Sequence, residues 1–237
     1  MPFLINNPAA QFDPIPLLTY YKWRDVFLSR NLNFNSNNGN EDIDLSEEDL
    51  FINFNAKQIH DLIKNLNDTY YLTVHFTCQG ASRKFKKLKA IINVMKKCNC
   101  SPTSEFIGDI DSSYGEDPNL LKNNYKDRKN KFDDINNNDF NHDEEGISHQ
   151  ITDKVKNFFA DDSGTKKIKI IFVKIPMYEN TMIGKTRLSG SRKGRLTVVF
   201  ADESFDPYQT LTVEEMKGLS YEPFDFSSGC CPPAYDE

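Results

Sequence analysis

One stretch of the chain matches the end of a phosphate-binding loop. Gly184, Lys185 and Thr186 have the required order, but Glu179 stands where the first glycine of such a loop belongs. That glycine lets backbone N–H groups approach the phosphate, and a carboxylate there would repel it. The residues that follow, RLSGSRKG, predict a basic loop rather than a helix N-terminus that could receive an anion. We therefore expect a flexible basic loop between two strands, and no nucleotide hydrolysis.

The histidines do not predict a hydrolase. His60 lies one position from the apolar stripe of a predicted helix, and His75 alternates within a predicted strand, so we expect both to be partly buried structural residues. His142 and His149 lie in or beside a segment predicted to be disordered, where no preorganised geometry can form. Neither a Gly-x-Ser-x-Gly elbow nor a His-Glu-x-x-His helix occurs in the sequence. We expect a protein that is not an enzyme and that needs no cofactor.

The cysteines favour neither a disulfide framework nor a zinc site. There are five cysteines. Cys98 and Cys100 form one tight cluster, Cys230 and Cys231 form another, and Cys78 stands alone. A structural zinc site needs four convergent ligands, and here Cys-x-Cys has no second pair of matching spacing. The N-terminus has no signal-peptide pattern, and no apolar run is long enough to span a bilayer. We expect a location in the cytoplasm, the nucleus or both.

The charges form bands along the chain. The net charge is −6, yet residues 82–98 carry seven basic side chains and no acidic one, and residues 165–195 carry nine basic and one acidic. The bands could neutralise one another in the fold, or the basic ones could share a surface that binds RNA or phosphoinositide. The candidate anion-binding residues are Lys84, Lys87, Lys96, Lys97, Lys185, Arg187, Arg192, Lys193 and Arg195.

The C-terminus carries the most specific short motif. Pro232, Pro233 and Tyr235 match Pro-Pro-x-Tyr, the pattern of WW-domain ligands, and Gly229 before it and two acidic residues after it favour an extended chain. The prolines fix the polyproline II conformation that an aromatic groove binds, and the tyrosine enters a neighbouring pocket. The motif predicts docking to a WW domain, such as that of a ubiquitin ligase. One such contact buries little surface and is weak and transient by itself.

The hydrophobic periodicity predicts an alternation of helices and strands. Helices are expected over 15–32, 56–68, 83–98, 149–162 and 213–217, the last from the capping box formed by Thr212 and Glu215. In the 83–98 helix, Phe85 and Met95 belong to the apolar line and the lysines fill the opposite face. Strands are expected over 50–54, 70–78, 166–176 and 195–202.

Two asparagine-rich stretches, 31–49 and 99–148, are predicted to be disordered because their composition provides too little apolar surface to bury. Such inserts are typical of eukaryotic proteins encoded by AT-rich genomes. The flanking segments 15–98 and 149–218 are each too small for an independent core. A loop of about 50 residues costs only about 2 kcal/mol more to close than a five-residue loop.

We therefore predict one discontinuous domain from 15–98 and 149–218, preceded by segment 1–14 and followed by an extended tail over 219–237. The expected fold class is α+β or α/β, with one small mixed sheet and packed helices.

These features predict a regulatory or adaptor protein. Its folded core would bind a protein partner and its tail would bind a WW domain. The alternative is an anion-binding module that uses the 83–98 helix and the 185–195 loop. A third possibility is an enzyme whose site the sequence does not reveal.

Overall fold

The fold comes from a computed structural model. It describes the backbone of residues 13–14, 17–29, 32–36, 39–43, 50–79, 87–96, 102–108, 110, 146–176, 182–183, 186–187, 196–209, 224–225 and 228–229. Side chains are described within 19–28, 50–77, 88–96, 106–108, 110, 147–176 and 196–209.

The helices and strands of these residues follow one another along the chain. They are β1 (Asp13–Pro14), α1 (Leu17–Ser29), β2 (Leu32–Ser36), β3 (Gly39–Ile43), β4 (Phe51–Asn55), α2 (Ala56–Ile63), β5 (Tyr70–Gln79), β6 (Lys87–Lys96), β7 (Pro102–Ile107), β8 (Gly146–Gln150), α3 (Asp153–Phe159), β9 (Lys167–Lys174), β10 (Met182–Ile183), β11 (Thr186–Arg187), β12 (Leu196–Asp202), β13 (Phe224–Asp225) and β14 (Ser228–Gly229).

The strands form two five-stranded sheets and two small hairpins. Sheet 1 has the order β1-β13-β12-β9-β4, sheet 2 has the order β14-β8-β5-β6-β7, and β2–β3 and β10–β11 are the hairpins. Every described pairing is antiparallel. The α+β class is therefore confirmed. The expectation of one mixed sheet is wrong, because the chain builds two antiparallel sheets.

The two sheets face each other across the core. Ile52, Ile170 and Phe200 lie opposite one another on β4, β9 and β12, and all three are buried. The ring of Phe172 on β9 meets the ring of Phe76 on β5 at a centroid distance of 6.2 Å. One buried cluster extends from Tyr20 to Phe205 and includes residues of both sheets and all three described helices. Burial of these rings and branched side chains is the main source of stability.

All three described helices pack against the core between the sheets. The ring of Phe27 on α1 stacks on Phe172 of sheet 1 at 6.4 Å. α2 comes directly after β4, and α3 comes shortly after β8. The two helices contact each other. Ile59 of α2 and Phe159 of α3 are both buried in the main cluster. Their N-caps are Asn55 and Thr152, whose side-chain oxygens accept hydrogen bonds from backbone N–H groups three residues later. Both helices were predicted, although each is shorter than expected.

The predicted helix over 83–98 is wrong, because residues 87–96 form the strand β6. β6 pairs with β5 over its whole length, from Lys87 opposite Gln79 to Lys96 opposite Tyr70. The apolar residues fit both a helical and an alternating pattern, and every second residue from Leu88 to Val94 enters the main cluster. The long register with β5 selects the strand, since β-branched residues pack well on a pleated surface.

Strands also lie within three segments for which the sequence predicted none. The stretch 31–49 contains the hairpin β2–β3, and β7 together with the start of β8 lies inside the supposed insertion 99–148. β8 replaces the start of the helix expected over 149–162, which begins at Asp153. The tail contains β13 and β14, so it is paired at Phe224–Asp225 and Ser228–Gly229. The helix expected over 213–217 lies outside the described residues.

Candidate functional site

The predicted WW-binding residues lie just beyond an ordered strand. Pro232, Pro233 and Tyr235 are outside the described residues, and the last described residue before them is Gly229. Gly229 lies opposite Ile147, and Ser228 lies opposite Ser148, at the edge of sheet 2.

The predicted anion-binding residues do not share a helical face. Lys87 and Lys96 are the two ends of β6, about 30 Å apart at the rise of a strand, and their odd separation places them on opposite faces. Arg187 ends the short strand β11. The remaining candidates lie outside the described residues: Lys84, Lys97, Lys185, Arg192, Lys193 and Arg195. The phosphate-loop candidate continues into a strand at Thr186, and no helix starts there.

A row of buried polar side chains runs across the outer face of sheet 2, the face opposite the core. We call it the polar row, and its members are Thr73, His75 and Thr77 on β5, Asn93 on β6 and Ser148 on β8. Thr73 lies directly opposite both Asn93 and Ser148 in the strand register, so the row crosses three strands. Every member is buried, with His75 the most exposed at 6 %.

Hydrogen bonds join four members of the polar row in two pairs, and the Thr77 hydroxyl has no hydrogen-bond partner among the described residues. The hydroxyl groups of Thr73 and Ser148 are 2.8 Å apart, and His75 Nε2 is 2.8 Å from Asn93 Oδ1. When the imidazole carries its proton on Nε2, that nitrogen donates to the Asn93 carbonyl oxygen. An amide orients a ring but does not accept its proton at neutral pH. These contacts therefore stabilise the sheet and do not constitute a nucleophile with its base.

A second buried polar cluster attaches α1 to the segment after β12. The Arg24 guanidinium is 4 % exposed and donates to the carbonyl oxygens of Pro207 at 3.1 Å and Gln209 at 2.9 Å. The Tyr20 hydroxyl donates to the same Pro207 oxygen at 2.9 Å, and the Tyr21 ring lies 4.6 Å from the guanidinium carbon. Charge-assisted bonds of this kind are stronger than neutral ones. The cluster holds Pro207 and Gln209 against α1.

His149 is a buried residue that the sequence reasoning missed. It was placed beside a disordered insert, but it lies on β8 with its ring edge-to-face with Phe200 of β12 at 5.8 Å. Burial holds the pKa of His149 well below its ordinary value. The available signal was its alternation with Ile147 and Ile151, which share its side of the strand. The expectation for His75 and His60 is met, with His75 buried and His60 half-buried.

The described residues contain no group of three or more His, Cys, Asp or Glu side chains that could hold a metal ion. Cys98, Cys100, Cys230 and Cys231 are not among them. In the same part of the chain, no helix is both long and apolar enough to cross a membrane.

Comparison with known proteins gave no match: no family model, no curated protein and no solved structure is significantly similar to this chain.

Proposed function

We propose that the protein is a non-enzymatic regulatory or adaptor protein that docks its C-terminal Pro-Pro-x-Tyr motif onto a WW domain. The observation that carries the proposal is the motif itself, Pro232, Pro233 and Tyr235 at the end of the chain. Two prolines restrict the chain to the polyproline II conformation before binding, so less entropy is lost when the aromatic groove receives it. In the cytoplasm or nucleus, a ubiquitin ligase that carries WW domains is a partner of the right chemistry.

The position of the motif supports this proposal. It begins three residues after Gly229, the end of strand β14. Three residues reach about 11 Å at most, so a WW domain bound to the motif would meet the protein at the edge of sheet 2. The folded core would then present the motif from a defined place.

The buried polar contacts also favour a binding role over a catalytic one. In the polar row, hydroxyl pairs with hydroxyl and imidazole pairs with amide. Arg24 binds backbone carbonyls of its own chain. Such contacts hold neighbouring elements together and stabilise a scaffold.

The anion-binding alternative has less support than it had from the sequence. Its central element was a helix with lysines on one face, and β6 takes the place of that helix. What is left of this alternative is the 185–195 loop, whose Lys185, Arg192, Lys193 and Arg195 lie outside the described residues.

A direct binding measurement tests the proposal. The full chain is titrated with isolated WW domains of the type that binds Pro-Pro-x-Tyr peptides, by calorimetry, at 50 mM and 300 mM salt. We expect binding that changes little with salt and that Tyr235→Ala weakens at least tenfold. The matched control is Tyr221→Ala, which removes the same side chain from the same tail outside the motif.

Equal affinities for the Tyr235→Ala and Tyr221→Ala proteins would refute the proposal. Binding of a short RNA or of phosphoinositide vesicles that falls steeply with salt, and that is lost on charge reversal of Arg192, Lys193 and Arg195, would favour the alternative.

A further inference from the structure

We draw no further inference here: the strongest candidate, the outer face of sheet 2 where the polar row adjoins the buried side chains of Ile91 and Phe106, carries none because nothing in the described part of the chain shows what covers it.

Discussion

The burial of His149 predicts that the protein loses stability in mild acid. The folded state keeps this imidazole neutral between the sheets, since burial holds its pKa well below the ordinary value. The unfolded chain takes up a proton below pH about 6.5. Below that pH the unfolded state therefore binds more protons than the folded state, and the free energy of unfolding falls as the pH falls.

The size of the effect follows from proton linkage. One proton taken up only by the unfolded state changes the free energy of unfolding by about 1.4 kcal/mol per pH unit. Between pH 6.5 and pH 5 the expected loss from His149 is thus up to about 2 kcal/mol, a large share of typical domain stability. Asp61 and Asp161 have pKa values lowered by hydrogen bonds, from Lys64 and from Ser163 respectively. Stability that comes from these carboxylates is lost in more acidic solution, so the window above pH 5 separates the effect of His149 from theirs.

Urea unfolding measured at half-unit steps from pH 5 to pH 7.5 tests this prediction. The variant His149→Leu keeps an apolar side chain of similar volume against Phe200, and its free energy of unfolding should vary less between pH 5 and 6.5. The control His60→Leu makes the same substitution at a half-buried position of α2. An unchanged slope in His149→Leu would refute the reasoning.

Two further substitutions test contacts that hold the core together. Arg24→Met removes the donors to the Pro207 and Gln209 carbonyl oxygens and should lower the free energy of unfolding by about 2–4 kcal/mol in urea titrations. Lys22→Met on the exposed side of the same helix should change it by less than about 0.5 kcal/mol, and equal losses would contradict the role of the guanidinium. Gly164→Ala should cost about 1–2 kcal/mol, because Gly164 has a φ of 73°, where a Cβ is strained; a neutral result by thermal unfolding would contradict that backbone assignment.

Local sequence pattern predicted most of the well-packed elements. α1, β4, α2, β5, β9 and β12 were all expected near their observed positions. A clear example is β5, where Leu72, Val74 and Phe76 alternate with polar residues. When one period dominates, the local preference and the final fold agree.

The polar row shows where such prediction stops. Thr73, His75, Asn93 and Ser148 come from three strands, and their two hydrogen-bonded pairs join residues 75 and 18 positions apart in the sequence. A shift of one residue in either strand pairing would turn these side chains to the opposite face. The register is set by long-range contacts, which no local pattern contains.

The sequence by itself determined that helices and strands combine in the fold, where the strongest of them lie, and that the chain carries a Pro-Pro-x-Tyr motif. The tertiary structure alone decided that residues 87–96 are a strand, that His149 is buried, and that the tail pairs with both sheets. The physical reason is the same in each case. Residues 87–96 satisfy two periods equally well, and His149 and the tail adopt their places only when distant strands offer backbone partners and apolar surface.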